Sequence, residues 1–346
     1  MAKLKIGIIG AGGIARGIHL PALKAVPEAE LCGICDLITP RAEAAARDFA
    51  IPKTYVSYHD MFRTGGIDAV YVLTPPDGLF RAAADALLAG KHVFMEKPMG
   101  ITLFQAKTLK ELAAAQKRVL HVGFNRRYIP LVKTIAAKMR EFCAVTHVEG
   151  RFYKNGSPAF YGGCAGAFVC DVIHVIDLVR HLAAGGPGPS PKAIRASTLE
   201  SVNPETKIAE AWYSSMAFEN GVTAVVRANY RTGGRVHQFE IHGPGASAFI
   251  DLGFGGAGCS GRILRTVTPG GQSLSAAGAG EQEILEFDGL ALAGSTNYEV
   301  YYGYHAENRH FVETVLANPS GTDPARAEED CASMELVEQL LAARVL

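Results

Sequence analysis

The sequence lacks a long apolar run, an excess of charge of either sign and a recognisable signal peptide. No apolar run approaches the roughly 18 residues that a spanning helix needs, so we expect no membrane partner. Lys plus Arg and Asp plus Glu both total 34, and no basic stripe stands out. This balance argues against nucleic acid as the main partner. Residues Met1 to Ile6 contain no small-residue cleavage site, so we expect no secretory leader.

The seven cysteines show no metal-binding or disulfide pattern. Cys32 and Cys35 form a lone C-x-x-C inside an apolar strand pattern, without a second pair, and we interpret them as small hydrophobic residues. The histidines likewise lack the spacing of metal ligands, so no metal is predicted. Scattered, unpaired cysteines are typical of a reduced, cytoplasmic protein.

A glycine-rich motif follows the first apolar run, Leu4 to Ile9. It reads Gly-Ala-Gly-Gly-Ile-Ala and fits the pattern G-x-G-x-x-A between a strand and a helix. The first glycine allows the turn, the second lets the backbone approach a pyrophosphate, and the small third residue allows close helix packing. The residues therefore predict a dinucleotide site.

Asp36 ends the second predicted strand, where a carboxylate accepts hydrogen bonds from an adenosine ribose and repels a 2′-phosphate. Leu37 and Ile38 follow it, so no adjacent Arg or Ser receives a 2′-phosphate. We therefore predict NAD(H) in preference to NADP(H). The predicted cofactor-binding residues are Gly10, Gly12, Gly13, Ile14, Ala15, Asp36, Thr74, Pro75, Glu96 and Lys97.

At 346 residues, with 48% hydrophobic residues, the chain is long enough for two domains. Apolar strands and amphipathic helices alternate as far as the sixth predicted strand, Val119 to Gly123, which predicts a doubly wound, mostly parallel sheet. We place a dinucleotide-binding domain at residues 1–123. The remainder, 124–346, is predicted to bind substrate and to form oligomers.

Lys97 stands where the fifth predicted strand ends. His92 to Met95 is a short apolar run, and Glu96, Lys97 and Pro98 follow it. Ligands of open α/β sheets bind at the carboxyl edge of the strands, where such a lysine would lie. The alternative is a solvent-exposed lysine at a strand end, and the surrounding dinucleotide-binding pattern favours the functional interpretation.

The second half of the chain contains hairpin patterns. Ala211 to Phe218 and Val222 to Tyr230 flank one turn, and Gln238 to His242 and Ser247 to Leu252 flank another. Consecutive hairpins predict an antiparallel meander. The run Val222 to Val226 is apolar at nearly every position, so we expect this strand to be buried on both faces. This predicts a homodimer or homotetramer built through this sheet.

The order of these motifs resembles the glucose–fructose oxidoreductase/inositol dehydrogenase (Gfo/Idh/MocA) family. The resemblance rests on the glycine motif, Glu96 to Pro98, Gly123 to Arg127 and His174 to Asp177, and covers nearly the whole chain. Its motifs are most similar to the MviM-type branch. It implies an α/β fold: an N-terminal Rossmann domain and a C-terminal α+β domain with a large open, mainly antiparallel sheet. It also implies hydride transfer between a nicotinamide and a carbinol carbon of a sugar, cyclitol or related polyol.

The resemblance assigns the catalytic positions. Lys97 matches the family lysine that approaches the reacting oxygen, and His174 matches the acid/base histidine, with Asp177 as the last acid of its motif. An unperturbed histidine pKa near 6.5 suits general acid/base catalysis. The alternative for His174 is a packed helix histidine without a catalytic role.

Two positions depart from the family pattern. Cys170 replaces the aspartate four residues before the histidine, and Leu79 stands where members often carry a histidine. Asp171, three residues before His174, is our candidate for the missing acid, because residues three and four apart share a helix face. Cys170 would then line the substrate pocket.

Several polar residues remain as weaker candidates. Asn125 and Arg126 follow the sixth predicted strand and would bind substrate or cofactor, or else form a hydrogen-bonded domain hinge. Lys154 would bind a substrate hydroxyl or carboxylate, although an exposed turn is favoured there. His19 and His121 are expected to be hydrogen-bonded core histidines.

The leading hypothesis is an NAD-dependent oxidoreductase that acts on a sugar-like alcohol or its ketone. Three alternatives stay open: a redox-neutral glycosidase or epimerase that retains NAD, a reductase acting on a nucleotide-linked sugar, and a non-catalytic sensor of dinucleotide or sugar.

Overall fold

The computed structural model of the protein describes residues 2–157, 165–185, 189–253, 258–267 and 281–345. The chain forms two compact units. The first contains Met1–Tyr128, Tyr161–Asp171 and Asn297–Glu335. The second contains Ile129–Phe160, Val172–Thr296 and Leu336–Leu346.

The strands and helices have the following bounds. The strands are β1 Leu4–Ile9, β2 Ala29–Cys35, β3 Thr54–Tyr55, β4 Ala69–Val72, β5 His92–Met95, β6 Leu120–Val122, β7 His147–Asn155, β8 Ala193–Val202, β9 Ala209–Phe218, β10 Thr223–Asn229, β11 Arg231–Gly243, β12 Ala246–Asp251, β13 Ser260–Val267, β14 Glu281–Asp288 and β15 Arg344–Val345. The α-helices are α1 Leu20–Lys24, α2 Thr39–Phe49, α3 Tyr58–Thr64, α4 Pro76–Leu88, α5 Leu103–Gln116, α6 Pro130–Phe142, α7 Ile173–Ala183, α8 Gly289–Ala293, α9 Tyr298–Tyr301, α10 Tyr304–Ala317 and α11 Pro324–Ala342.

The first unit is built on a parallel sheet with the strand order β3-β2-β1-β4-β5-β6. Its strands are short apolar runs because helices cover both faces of a doubly wound sheet. Strand β1 pairs with both β2 and β4, so the chain reverses its winding direction there. The carboxyl ends of β1 and β4 therefore meet at the switch point, where ligands of such sheets bind.

The core of the first unit recruits a helix from far along the chain. Ile6 and Ile8 of β1, both fully buried, share a cluster with Phe94 of β5 and with Phe311 of α10. The Tyr71 and Phe94 rings stack with centroids 4.6 Å apart, and Phe311 contacts both edge-on. Helix α10 is thereby fixed in the first unit.

The second unit holds a mixed sheet. Among the described residues its order is β14-β13-β12-β11-β7-β10-β9-β8-β15. Most pairs are antiparallel, whereas β10 with β7 and β15 with β8 are parallel. The predicted meander is wrong at one point, because β7 lies between β10 and β11. The predicted fold class, α/β with a second, mainly antiparallel sheet, is confirmed.

Helix α7 packs closely on this sheet. A Cβ added at Gly150 of β7 would lie 2.4 Å from a side-chain carbon of Val175 and 2.8 Å from one of Val179. Only glycine leaves room for the helix at this distance. None of the helices in the described part of the chain combines the length and the apolar character required to cross a bilayer.

Candidate active site

The glycine motif forms the turn that the sequence predicts. Gly10 has φ +99°, and a Cβ there would lie 2.5 Å from the carbonyl oxygen of Leu73, so a side chain is excluded. Added Cβ atoms at Gly12 and Gly13 would meet no atom of the described chain within 4 Å. The space above these two residues is therefore open to a ligand that approaches the backbone closely, as a pyrophosphate does.

The segment after this turn differs from the prediction in its geometry. Ala15–His19 forms a π-helical turn and leads directly into α1. Short π-helical turns inside helices occur frequently at functional sites. A second such turn, Phe168–Val172, contains Cys170 and Asp171.

Asp36 is fixed beside the glycine turn. One carboxylate oxygen accepts a hydrogen bond from the Ala11 backbone N–H at 2.7 Å, and the other accepts from the Ile38 N–H at 2.8 Å. The next side chain, Leu37, is 96% exposed. The residues present therefore fit a dinucleotide: open glycines for the phosphates and an oriented carboxylate for a ribose hydroxyl.

Thr74 follows β4 at the same edge of the sheet. Its hydroxyl oxygen is buried, and among the described residues it has no hydrogen-bond partner. Leu79, on α4, is fully buried in the core. Position 79, where the family resemblance led us to expect a histidine, therefore contributes no polar group.

Lys97 lies just beyond β5 and is partly buried. Its ammonium donates a hydrogen bond to the backbone oxygen of Cys170 at 2.8 Å. The preceding Glu96 accepts a hydrogen bond from the Lys97 backbone N–H at 3.1 Å, and the Lys97–Pro98 peptide bond is cis. The structure thus brings Lys97 to Cys170, but the contact is with the cysteine's backbone. Sequence patterns carry no signal for such a carbonyl.

Glu96 is buried but carries a negative charge. Burial by itself raises the pKa of this carboxyl, but the hydrogen bond from His19 and the charges of His19 and Lys97 together bring the pKa below its usual value. The Nε2 atom of His19 lies 2.9 Å from Glu96 Oε1. The expectation of a hydrogen-bonded core histidine is confirmed for His19, and also for His121, which contacts Asp323 at 2.9 Å.

Asn125 and Arg126 are buried and both contact Tyr302. The Asn125 amide donates to the Tyr302 backbone oxygen at 2.8 Å. The guanidinium carbon of Arg126 lies 5.7 Å from the centre of the Tyr302 ring. The side-chain oxygen of Asn125 has no partner among the described residues. Tyr302, which sequence reasoning did not single out, organises this corner of the first unit.

Cys170 and Asp171 are buried in the first unit, whereas the remaining candidates belong to the second. His174 and Asp177, on α7, are also buried, at 8% and 1% exposure. The prediction that Lys154 lies in an exposed turn is wrong, because it is part of β7 and half-buried. Its ammonium lies 4.6 Å from the centre of the Phe152 ring, a favourable cation–π distance.

The C-x-x-C residues take no part in this site. Cys32 and Cys35 are thiols rather than a disulfide. Burial, with a contribution from Asp36, raises the pKa of Cys35 to about 11. A thiol that stays protonated is unreactive, which agrees with the small-hydrophobe interpretation.

Comparisons with known proteins place this geometry in a family. Residues 4–124 match the model described as oxidoreductase family, NAD-binding Rossmann fold. Residues 138–249 match the Gfo/Idh/MocA C-terminal domain. The predicted resemblance and the NAD-binding character of the first domain are confirmed.

Individual relatives are more distant. The chain is 28% identical over 259 residues to an uncharacterised oxidoreductase, YrbE, of Bacillus subtilis, an alignment that covers 72% of this chain and 74% of YrbE. It is 35% identical over 128 residues to the inositol 2-dehydrogenase of Salmonella typhimurium, covering 36% of this chain and 38% of that enzyme. The crystal structure of a dehydrogenase from Chromobacterium violaceum superposes with a TM-score of 0.84 at 21% identity, covering 99% of this chain and 96% of that one.

Proposed function

This chain belongs to the Gfo/Idh/MocA family of oxidoreductases, and from that premise we propose that it transfers hydride between NAD and a secondary alcohol or ketone of a sugar, cyclitol or related polyol. One observation carries the proposal: the partly buried Lys97 ammonium is held at the carboxyl edge of the same sheet that presents the open glycine turn. Residues 1–123 would bind the dinucleotide, and residues 124–346 would bind the substrate.

The residues of the first unit divide into two roles. Gly12 and Gly13 would accommodate the phosphates, and Asp36 would bind the ribose. Thr74 offers a buried hydroxyl for a further hydrogen bond. A bound nicotinamide supplies the hydride acceptor or donor. Lys97 would donate a hydrogen bond to the substrate oxygen and stabilise negative charge that develops on it.

His174 is proposed as the group that moves the proton. Oxidation of an alcohol releases a proton from the hydroxyl in addition to the hydride, and a histidine has a pKa suited to accepting it near neutral pH. Asp171 is proposed to fix the tautomer of this histidine. Asn125, Arg126 and Lys154 remain candidates for binding substrate hydroxyls.

The activity is tested with a panel of polyols, inositols and nucleotide sugars, each incubated with NAD⁺ or NADH while the nicotinamide absorbance is followed. We expect at least one member to change the absorbance, and the Lys97→Met variant to slow that change by about 10²-fold or more. Mass spectrometry of the same reactions detects turnover without net oxidation or reduction of the nicotinamide. Such turnover would favour the glycosidase or epimerase alternative over a dehydrogenase.

The sensor alternative has one structural argument in its favour. The core position of Leu79 and the cysteine at position 170 leave two family positions without their polar groups. A sensor would bind NADH and a sugar, whereas no member of the panel would be converted. Dinucleotide binding without any turnover would therefore favour it over the enzyme.

Cofactor choice gives a separate prediction. Both oxygens of Asp36 are held by backbone amides, so the carboxylate cannot turn away from a 2′-phosphate without losing those bonds. We expect NADH to bind about 10-fold or more tightly than NADPH, which is about 1.4 kcal/mol. Calorimetric titration measures the dissociation constants of both dinucleotides, and the Asp36→Ser variant should show a smaller difference between them. Equal or tighter binding of NADPH to the wild type would contradict the assignment.

Assembly gives another prediction. Successive side chains of β10 point alternately to a buried face and to a more exposed face of the second sheet. The more exposed face carries half-exposed ion pairs, among them that of Arg227 with Glu149 at 2.8 Å. The expectation that β10 is buried on both faces is not met within one chain, since Thr223 is exposed and Val225 half-buried. We propose that a second copy covers this face.

Light scattering at micromolar concentration is then expected to give at least twice the 36.8 kDa of one chain. Arg227→Glu, which places like charges beside Glu149, should shift the mass towards the monomer. Arg47→Glu, an exposed reversal on α2, serves as the control. A wild type with the mass of one chain would refute the proposal.

We also propose a cytoplasmic location and no nucleic-acid or membrane partner. The scattered cysteine pattern of the sequence supports a reducing compartment. The balanced charge of the chain supports the absence of a polyanionic partner.

A further inference from the structure

A fully buried histidine contacts Glu96, the residue that precedes Lys97. His19 is 0% exposed and ends the π-helical turn after the glycine motif. Its Nε2 atom lies 2.9 Å from Glu96 Oε1, and its Nδ1 atom lies 3.3 Å from the side-chain amide of Asn308. Asn308 is also fully buried and donates to the Tyr304 backbone oxygen at 2.7 Å. Positions 19, 96 and 308 thus converge in one hydrogen-bonded chain.

Glu96 connects this chain to the lysine. One carboxylate oxygen contacts His19, and the other accepts the Lys97 backbone N–H. The Lys97 side chain in turn donates to the Cys170 carbonyl. Lys97 is therefore held at two points, at its backbone by Glu96 and at its ammonium by Cys170.

A second buried acid, Glu307, interacts electrostatically with Glu96. Glu307, on α10, is buried, and neither carboxyl oxygen has a hydrogen-bond partner among the described residues. Burial raises the pKa of Glu307 well above its usual value, and the charge of Glu96 raises it further. When two interacting carboxyls have pKa values pushed apart, one is ionised and the other protonated. Here Glu96 carries the charge, because His19 and Lys97 stabilise its anion.

We propose that His19 and Asn308 are positioning residues for Lys97, acting through the carboxylate of Glu96. The proposal rests on the proposed function, in which Lys97 contacts the reacting oxygen. His19 ends the π-helical turn that follows the glycine motif, so the same contact also connects the phosphate-binding segment to the lysine's loop. The requirement on distance is strict, since a misplacement of about 1 Å can cost about 10²-fold in rate.

The test compares His19→Leu, which removes the hydrogen bond to Glu96, with His19→Gln, whose amide can still donate to that carboxylate. Asn308→Ala is a second variant that leaves His19 and Glu96 in place. His121→Leu is the matched control, because it removes another buried histidine–carboxylate contact of 2.9 Å in the same unit, whose partner is Asp323 rather than Glu96.

The first readout needs no substrate. Reductive methylation with formaldehyde and cyanoborohydride modifies accessible amines, and mass spectrometry gives the rate at Lys97 relative to the exposed Lys133. Loss of the contact between His19 and Glu96 should free the Lys97 amine from the Cys170 carbonyl. We expect His19→Leu to raise the relative rate about 3-fold or more, through local opening of the loop. Asn308→Ala should raise it less, and His19→Gln should restore it.

The second readout is kinetic, with the alcohol that the panel identifies. His19→Leu is expected to lower kcat about 10²-fold while KM and the Kd for NADH stay within a few-fold. His19→Gln should recover most of kcat, and His121→Leu should lower the melting temperature but leave kcat unchanged. A merely structural role would give His19→Leu and His121→Leu the same pattern.

The outcomes separate the two proposals. Lys97 methylation that is unchanged in both His19→Leu and Asn308→Ala, or raised equally in His121→Leu, overturns the positioning role whether or not a substrate is found. Lack of turnover by the wild type, together with the expected methylation pattern, would instead refute the oxidoreductase activity and retain the positioning role. If His19→Leu fails to fold, Asn308→Ala and His19→Gln decide the question by the same measurements.

Discussion

Replacing Lys97 with methionine is expected to lower turnover by about 10²-fold or more, the loss that follows removal of one hydrogen bond made in the transition state. Methionine keeps the apolar stem and removes the ammonium that donates to the Cys170 carbonyl. Binding of NADH should remain within a few-fold of the wild type. Steady-state kinetics on the identified alcohol and a fluorescence titration with NADH measure the two quantities.

The same strand offers a matched control for this substitution. Lys91 precedes β5 as Lys97 follows it, and its ammonium also donates to a backbone oxygen, that of Ile67, at 2.8 Å. It lies at the amino end of the strand, away from the ligand-binding edge. Lys91→Met should therefore leave turnover near the wild-type rate. Near-full turnover in Lys97→Met would remove the central catalytic assignment.

The second large effect is expected at His174. His174→Ala should abolish turnover, because the hydroxyl proton then has no acceptor. Asp171→Asn should reduce turnover far more than Cys170→Ala does. A carboxylate close to an imidazole favours its protonated form and fixes its tautomer, which suits a base that must accept a proton.

Turnover and NADH binding of the three variants distinguish the enzyme from the sensor. A sensor would bind the dinucleotide equally well in all of them, and its wild type would convert no substrate. If Cys170→Ala lowered turnover strongly and Asp171→Asn left it unchanged, we would abandon the hypothesis that Asp171 replaces the acid missing at position 170. The structure adds one consideration: Cys170 and Asp171 lie in a π-helical turn, where the α-helical spacing behind the hypothesis does not apply.

Local patterns predicted the first sheet closely. The bounds of β1 and β5 agree with the apolar runs Leu4 to Ile9 and His92 to Met95. Buried parallel strands are apolar at nearly every position and end at turn-forming residues, so each can be recognised without knowledge of its neighbours.

The second sheet was predicted less well because its pairing is not local. Hairpins were recognised from their turns, but β7 pairs with β10 and β11, which lie far along the chain. No turn encodes such pairing. Lys154 was misjudged for a related reason: its half-buried position depends on the Phe152 and Tyr230 rings beneath its ammonium.

The dinucleotide turn, the Asp36 carboxylate and the arrival of Lys97 at the edge of the sheet could be predicted from local patterns, because each depends on residue types at fixed spacing along one strand, turn or helix. The groups that hold Lys97 are set by the packing of the folded chain. Its ammonium contacts a backbone carbonyl, a group that every residue possesses. The Glu96 contact with His19 spans 77 positions and the His19 contact with Asn308 spans 289. Such contacts form only when the whole unit has packed, so no local sequence pattern predicts them.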